Sequence, residues 1–211
     1  MNKLLIIESG DRLGKGSLIK GLCEYFDYKN IIIRHCDKPP KNISQNEVLD
    51  FQFKCFEQEF QMINYIQTMN CKLMYHDNII IYDRFYLGEY VYGQMFRAAN
   101  PDLLKMKLQE FEVYNLNRDN VYLITLTSDP EFFLSKEDGQ SFSQNLEQKT
   151  KELELFKEAH EFSLIKNKLL LKVDKTTTTL DFIDFAIPGK TNIFRPKQDI
   201  LNEVIDFINE K

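Results

Sequence analysis

The stretch Lys3-Leu4-Leu5-Ile6-Ile7-Glu8-Ser9-Gly10-Asp11-Arg12-Leu13-Gly14-Lys15-Gly16-Ser17 decides the fold. Residues 4 to 7 are an apolar run without a helical period, which is typical of a strand buried on both faces. The run ends at Ser9-Gly10, and residues 17 to 26 carry apolar side chains on one helical face. A strand, a loop with Gly14-Lys15 and a helix, in that order, predict a phosphate-binding loop, because loop N–H groups, the helix N-terminus and the lysine can all face an anion.

The match to the strict phosphate-loop pattern is incomplete. That pattern has glycine at position 9 and a hydroxyl residue at position 16, whereas this chain has Ser9 and Gly16 and carries the glycine and the hydroxyl one place later. An ordinary turn between a strand and a helix is the alternative. The buried strand and the loop charges favour nucleotide binding, and the expected cofactor-binding residues of the loop are Gly10, Leu13, Gly14, Lys15, Gly16, Ser17 and Leu18.

Length and charge narrow the class of protein. A chain of 211 residues is long enough for one α/β domain with a substantial core and too short for two. The net charge of −5 gives no sign of nucleic-acid binding through the overall field, so any anion site has to be a local concentration of Lys and Arg. No apolar run reaches membrane-spanning length, and the chain enters a strand directly after residue 2. We therefore expect no membrane partner and a cytoplasmic location.

Cysteine and histidine spacing argues against a metal framework. No C-x-x-C pair occurs, and the histidines at 35, 76 and 160 have no metal-ligand spacing. Free core thiols are favoured over disulfides or a metal site, and a zinc enzyme is not expected. The four cysteines concerned are Cys23, Cys36, Cys55 and Cys71.

Apolar runs alternate with amphipathic segments along the chain. Buried strands are predicted at 31–34, 78–84, 121–126 and 169–174, and helices at 46–76, 103–116, 130–134, 144–166 and 199–209. Residues 176–179 are predicted as a loop, 180–185 as a short apolar segment and 188–189 as a turn. The alternation predicts one α/β domain over residues 1–211, a three-layer fold in which helices flank a five-stranded, mostly parallel sheet.

Charged residues follow two of the predicted strands at their carboxyl ends, the edge at which open α/β sheets bind ligands. Asp83 is well placed there to hold Mg²⁺ directly or through water, and Arg84 can clamp a phosphate with its fork of donors. Arg34, Lys38 and Lys41 form a basic cluster beyond the second strand. A ligand site and a solvated loop are equal alternatives for that cluster.

Three further segments are candidates for functional surfaces. In the helix at 46–76, Phe51 and Phe56 belong to the main apolar stripe, whereas Phe53 lies on a second face that is either core or a wall on which a base stacks. Segment 85–97 is rich in aromatic residues and has two glycines, which cost about 1 kcal/mol each in a helix, so a ligand or a neighbouring helix is expected close to its backbone. The polar residues 135–141 have the composition of a mobile surface loop.

Two blocks resemble the thymidylate kinase branch of the P-loop nucleoside monophosphate kinases. Glu8-Ser9-Gly10-Asp11-Arg12-Leu13-Gly14-Lys15 is similar to that family's Glu-Gly-x-Asp-Arg-x-Gly-Lys loop. Asp83-Arg84-Phe85, with Gly88, Val91 and Tyr92 downstream, is similar to its Asp-Arg-Tyr block. The divergence is of the kind expected for a viral or phage member.

The resemblance covers residues 1 to about 175 and implies a division of the single domain. The acceptor-binding region is expected at about 35–76 and a lid at about 135–145. Residues from about 176 to 211 form a C-terminal extension for which the resemblance gives no counterpart.

On the donor side, the resemblance implies ATP and Mg²⁺. Lys15 and the loop amides would hold the β- and γ-phosphates, and Ser17 would join Asp83 around Mg²⁺. Some family members carry the catalytic arginine in the loop and others in the lid. Residues 119–194 contain no arginine, so the resemblance assigns this role to Arg12, and Lys136 is the only cation beside the lid.

On the acceptor side, the resemblance implies a deoxynucleoside monophosphate. Asp11 would contact its 3′-hydroxyl, Arg84 would bind its phosphate, and Tyr92 belongs to the same block. The family's arginine after the second strand is Lys38 here, and no arginine occurs between 35 and 83 to read the base. Stacking on the base would fall to an aromatic side chain of the second helix, Phe53 or Phe56.

Three hypotheses remain. The first is a deoxynucleoside monophosphate kinase acting on small-molecule nucleotides. The second is a kinase of a free deoxynucleoside, or of a modified base or 5′ end in DNA, motivated by Arg97 and by the missing base-reading arginine; only here is nucleic acid a partner. The third is a non-catalytic nucleotide-binding protein, motivated by Ser9 and Gly16. Related kinases often form homodimers, so a homodimer is a further expectation.

Overall fold

A parallel sheet forms the centre of the computed structural model, which describes residues 3–26, 31–36, 45–73, 78–178 and 190–210. Its strands lie in the order β2-β3-β1-β4-β5, and all four pairings are parallel. This confirms the predicted five-stranded sheet. The strands are β1 (Lys3–Glu8), β2 (Ile31–His35), β3 (Ile79–Asp83), β4 (Val121–Thr127) and β5 (Asn167–Lys172).

Helices cover both faces of the sheet. They are α1 (Lys15–Tyr25), α2 (Gln45–Leu73), α3 (Leu87–Arg97), α4 (Pro101–Phe111), α5 (Pro130–Leu134), α6 (Leu146–Phe162) and α7 (Lys197–Asn209), with a π-helix (Glu112–Leu116) directly after α4. Leu4 and Ile6 of β1 face a core with α2, α3 and α4, whereas Leu5 and Ile7 face a core with α1 and α7. The continuous apolar run of β1 therefore reflects burial on two sides.

The second strand corrects a prediction. β2 was expected to be buried, but among the described strands it pairs only with β3 and lies at the edge of the sheet, and Ile33 is 52% exposed. An apolar run alone does not distinguish an edge strand from a central one, because both have the same β-branched residues.

The buried face of α2 also differs from the prediction. Phe51 was placed in the apolar stripe, yet it is 37% exposed. Gln52 is buried instead, because the stripe follows three- and four-residue steps that pass beside Phe51. Among the described side chains of α2, the buried positions are Val48, Gln52, Phe56, Phe60 and Ile63.

Several boundaries move by a few residues. The helix expected at 103–116 divides into α4 and the π-helix. The helix expected at 144–166 is α6, which begins after Asn145, whose side chain accepts a hydrogen bond from Gln148 N (2.9 Å). Strand β5 ends before Asp174, which opens the next strand. The start of α6 reflects the capping contact of Asn145, which a periodicity argument does not resolve.

The C-terminal extension contains a hairpin that the sequence did not predict. β6 (Asp174–Thr178) pairs with β7 (Lys190–Phe194) in antiparallel register, so the loop expected at 176–179 is wrong for residues 176 to 178. Consecutive threonines are β-branched and favour a strand. The apolar segment predicted at 180–185 and the turn at 188–189 lie outside the described residues.

Cys23, Cys36 and Cys55 are free thiols; Cys23 is buried, as predicted for a core thiol, whereas Cys36 and Cys55 are only partly buried, and the side chain of Cys71 lies outside the described part of the chain. Within the described ranges, no helix is long and apolar enough to span a membrane.

Candidate active site

A cleft of ≈ 920 Å³ opens at the carboxyl end of β1. β1 lies between β3 and β4, so the loop that follows it emerges where the strand order reverses, the place at which open α/β sheets bind ligands. Residues 11 to 18, from the loop and the start of α1, line the cleft together with Asp83, the last residue of β3, and Arg84, which follows it. The structure thus brings the two blocks that carried the family resemblance into one site.

The loop ends in a backbone turn that requires glycine. Gly14 precedes α1 with φ at 89°, a left-handed conformation that side chains disfavour. Helix α1 then begins at Lys15, so its first N–H groups face the cleft without intrahelical partners and carry the positive end of the helix dipole. Arg12 is also left-handed, with φ at 68°. The loop and the start of α1 therefore direct N–H groups toward the cleft, and anion binding there stays a prediction.

Close packing explains why the glycine stands at position 10. A Cβ on Gly10 would lie 2.4 Å from Cζ of Phe133 and 2.8 Å from Oε1 of Glu152. Ser9 is fully buried, and its hydroxyl donates to the Gly10 carbonyl (2.8 Å). Around Gly16, by contrast, the described residues leave open space. The departures from the strict pattern therefore fit the way α5 and α6 pack on this loop.

Lys15 folds back into the loop. Its ammonium donates to Ser9 Oγ (3.1 Å) and to the Gly10 carbonyl (3.1 Å), and the side chain is almost fully buried. Burial, together with the charge of Arg84, lowers the pKa of Lys15 to about 8, although Asp83 and Asp11 oppose this shift. The lysine therefore lies at the phosphate site with its charge only partly compensated.

A buried carboxylate organises the connection after β3. Glu8 Oε1 accepts hydrogen bonds from the N–H groups of Phe85 (2.9 Å) and Leu87 (3.2 Å). Arg84 adopts a left-handed conformation with φ at 66°, and its N–H donates to the Ile7 carbonyl (3.0 Å). Burial is the main cause that raises the pKa of Glu8 to about 7. Sequence reasoning gave Glu8 no role, although a carboxylate that ends a buried strand was a usable signal.

Asp11 and Arg84, both predicted for the acceptor side, form an ion pair with each other. Asp11 lies on the loop after β1 and Arg84 directly follows β3, so the pair bridges two neighbouring strand ends. Both residues line the cleft. A guanidinium has five N–H donors, so Arg84 keeps donors for a further anion.

Asp83 and Ser17 fit the expected Mg²⁺ site. Oδ1 of Asp83 is buried and has no hydrogen-bond partner among the described residues, and a buried carboxylate oxygen of this kind suits a hard cation. Ser17 lines the same cleft. No group of three or more His, Cys, Asp or Glu in the described ranges is arranged to hold a metal. In kinases, phosphate oxygens and water supply most Mg²⁺ ligands, so two protein ligands are sufficient.

The remaining acceptor-side residues do not line the cleft where the structure describes them, although Tyr92 lies near Arg84. Lys38 and Lys41 lie outside the described residues. Arg34 pairs with Glu59 through two hydrogen bonds (2.6 and 3.0 Å), and Glu59 also accepts from Tyr82 Oη (2.9 Å). The described residues of this acceptor-side group are Arg34, Phe53, Phe56, Tyr92 and Arg97.

The aromatic predictions separate in the structure. Phe56 is 2% exposed in the core between α2 and the sheet, where it cannot stack on a ligand. Phe53 is half-buried beside it. Tyr92 Oη donates a hydrogen bond to Glu152 Oε1 (2.8 Å). Arg97 forms an ion pair with the buried Glu89 (2.5 Å), so the charge of Arg97 is compensated within the protein.

The C-terminal extension supplies a wall of the cleft that sequence reasoning missed. Phe194 lines the cleft and packs edge-on against Phe132 (4.8 Å between ring centroids). Lys136 does not line the cleft within the described ranges, but its ammonium lies over the Phe194 ring (5.4 Å). The further cleft residues of this wall are Arg195, Lys197, Gln198, Ile200 and Leu201. The only available signal was an aromatic–basic pair before the last predicted helix.

The strand order and the loop after β1 together define a class of protein fold. A parallel sheet with β1 between β3 and β4, and a lysine-bearing phosphate loop that leads into the first helix, is the P-loop kinase fold. No protein-family model matches the chain, and no curated protein matches its sequence significantly.

Solved structures agree with this class. The chain is similar to a thymidylate kinase from Ehrlichia chaffeensis, with 14% identity, a TM-score of 0.58 and 97% of each chain covered. It is also similar to a polyphosphate kinase 2 from Arthrobacter aurescens TC1, with 11% identity and a TM-score of 0.50 over 81% of this chain. The chain spans 60% of the length of that second protein. The likeness is one of fold and confirms the P-loop kinase architecture.

Proposed function

We propose that the protein is a kinase that transfers a phosphoryl group from ATP to a deoxynucleoside monophosphate in the presence of Mg²⁺. One observation carries the proposal: Lys15, Arg12 and Arg84 converge on one cleft with Asp11 and Asp83. A transferring phosphoryl group needs positive charge around its oxygens, carboxylates that hold a cation or a hydroxyl, and little covalent assistance.

The shape of the cleft supports a nucleotide donor. At ≈ 920 Å³ it is within the range of small-molecule sites, which are mostly apolar with a few placed polar groups. Its lining includes the loop and, from later parts of the chain, the apolar residues Val173, Phe194 and Leu201. These apolar residues suit a nucleoside, whereas the cations of the same wall, Arg195 and Lys197, can hold the phosphates of either donor, ATP or an inorganic polyphosphate. The apolar residues therefore favour ATP over polyphosphate as the donor.

The reaction forms one bond and breaks one. An oxygen of the acceptor phosphate attacks the γ-phosphorus of ATP, and the bond from that phosphorus to the bridging oxygen breaks, so ADP leaves with the electron pair. Lys15 and Arg12 neutralise charge on the transferring group, while Arg84 orients the acceptor phosphate. Mg²⁺, held by Ser17 and Asp83, would neutralise the donor phosphates when it is bound.

A coupled assay of diphosphate formation tests the proposal. Purified protein would be given ATP, Mg²⁺ and, in turn, dTMP, dUMP, dCMP, dGMP and dAMP. We expect turnover on one or two of these and a loss of roughly a thousandfold in Arg12→Ala, as for other arginines at transferring phosphoryl groups. Arg118→Ala is the matched control, because Arg118 precedes β4 and so lies at the amino ends of the strands, opposite the carboxyl ends where the cleft opens. Nucleotide binding without turnover on any acceptor would instead identify a non-catalytic binding protein.

One observation favours a second candidate, a kinase of an acceptor without a phosphate. Arg34, expected to meet the acceptor, is neutralised by Glu59. A free deoxynucleoside would need no such cation. Activity on deoxynucleosides, or on oligonucleotide ends, but not on monophosphates would select this candidate.

A further inference from the structure

The lid, residues 135–145, has a fixed turn built around one carboxylate. Glu137 Oε1 accepts hydrogen bonds from the N–H groups of Gly139 (2.9 Å), Ser141 (3.2 Å) and Asp138 (3.2 Å). Gly139 has φ at 81°, which completes the reversal. The sequence predicted a mobile surface loop at 135–141; residues 138–140 are exposed, the backbone donors of the turn are satisfied within the loop, and its mobility stays a prediction.

A buried lysine anchors that turn to α6. Lys149 is fully buried, with its ammonium 2.6 Å from Glu137 Oε2 and 4.0 Å from the centre of the Phe133 ring. Burial alone would raise the pKa of Glu137, but hydrogen bonds from Lys149 and Ser141 lower it to about 2. Removing one member of a buried ion pair leaves an uncompensated charge, so each member holds the other in place.

The residue after Glu137 reaches the phosphate loop. Asp138 forms an ion pair through Oδ2 with Nη2 of Arg12, and its Oδ1 accepts from Gln140 N (3.2 Å). Asp138 is therefore fixed by the same turn. Arg12 lines the cleft, whereas Asp138 is not among the described residues that do. The side chains of this pair are 46% and 39% exposed, and a guanidinium has five N–H donors, so Arg12 keeps donors for a further anion.

We propose that Asp138 is a positioning residue for Arg12. In this proposal, which rests on the proposed kinase function, Lys149 fixes Glu137, Glu137 fixes the lid turn, and the turn presents Asp138 to Arg12. The long Arg12 side chain is then ordered across the cleft before ATP binds, and a positioned cation contributes more to rate than a mobile one. In the alternative, Asp138 masks Arg12 until ATP displaces it, and removing the carboxylate would then raise kcat instead of lowering it.

Steady-state kinetics of Asp138→Asn distinguish the two. We expect kcat to fall roughly 10- to 100-fold, the range for misplaced catalytic groups, with the KM for ATP within about twofold of the wild-type value. Asp138→Glu should recover most of the loss, and Asp138→Asn should add nothing in an Arg12→Ala background. Glu147→Gln, an exposed change at the start of α6, is the charge-matched control.

The lid part of the proposal has a readout that needs no turnover. In Lys149→Met, the amides of Gly139 and Ser141 should exchange hydrogen at least tenfold faster than in the wild type, because their acceptor is no longer held. Lys151→Met, on the exposed side of the same helix, should leave these rates unchanged. If Lys149→Met does not fold, Glu137→Gln provides the same comparison.

The outcomes separate the two proposals. An active wild type whose kcat is unchanged or raised by Asp138→Asn overturns the positioning role alone. Unchanged exchange at both amides overturns the anchoring of the lid. A wild type without turnover on any acceptor overturns the proposed function, and the positioning role with it.

Discussion

At the residue scale, the two glycines of the loop have different reasons to be there. Gly10 lies against Phe133 and Glu152, both buried, whereas nothing described lies near a Cβ at position 16. We expect Gly10→Ala to lower the free energy of unfolding by about 1–3 kcal/mol, the usual cost of overpacking. Gly16→Ala should leave it unchanged or slightly higher, because alanine favours the helix. Urea unfolding of both variants is the measurement, and equal stabilities would contradict this account of the loop.

Lys15 makes a second residue-scale prediction, on pH. With its pKa lowered to about 8, the free protein loses the ammonium charge above that pH, while bound phosphates would restore it. ATP binding should therefore take up a proton and weaken by up to about tenfold per pH unit above pH 8. Calorimetric titration in buffers of different ionisation heat measures both effects.

Lys15→Arg is the control for this pH dependence, because arginine stays protonated throughout the range. Its dissociation constant for ATP should vary little between pH 7 and 9.5. A wild-type constant that is equally flat would show that Lys15 remains charged in the free protein.

At the scale of elements, the β6–β7 hairpin should serve the nucleoside part of the donor. Phe194 ends β7 and lines the cleft. We expect Phe194→Ala to weaken ATP binding by about tenfold, the usual value of one aromatic contact to a base, and to leave tripolyphosphate binding unchanged. Ile193→Ala is the control, since this exposed neighbour is not among the described cleft residues. Equal losses for both ligands would place Phe194 at the phosphates instead.

The elements that sequence could predict are those with a local signal. The run in β1, the Gly14-Lys15 pair and the helical face of α1 specify the phosphate loop within 25 residues. The only local signal for the hairpin is the run of threonines in β6, because its two strands are separated in sequence and are defined by pairing. Contacts such as Arg12 with Asp138 and Arg34 with Glu59 join residues far apart in the chain, so charges that looked free in the sequence are paired in the fold.

At the scale of the whole molecule, two buried groups give stability opposite pH dependences. Burial, with the charge of Lys168, lowers the pKa of His160 from 6.5 to about 4, so the unfolded chain binds more protons in this range and stability rises with pH. Glu8, with a pKa raised from 4.5 to about 7, binds its proton more tightly in the folded state, and stability falls as pH rises. The two contributions oppose each other in the overlapping range.

The variant His160→Gln should reveal the pH dependence of stability that His160 contributes and that Glu8 opposes in the wild type. The difference in unfolding free energy between wild type and variant should grow by about 3 kcal/mol from pH 4 to pH 6.5, at 1.36 kcal/mol per pKa unit. Glu8→Gln should show the opposite sign between pH 4.5 and 7. Urea unfolding at half-unit pH steps checks both, and a difference independent of pH would show that the group in question is not buried as described.

The cleft joins the beginning and the end of the described chain. A Cβ on Gly21 of α1 would lie 3.0 Å from Leu201 of α7, and Lys3 Nζ donates to the Ile208 carbonyl (2.7 Å). On the ribosome, residues 194–201 follow the phosphate loop by about 180 residues, which takes roughly 10 to 40 s of synthesis. A nascent chain halted before residue 194 would carry a complete phosphate loop but no wall for the nucleoside. ATP in the cell is therefore expected to stabilise the protein only after translation of α7, and not to guide its earlier folding.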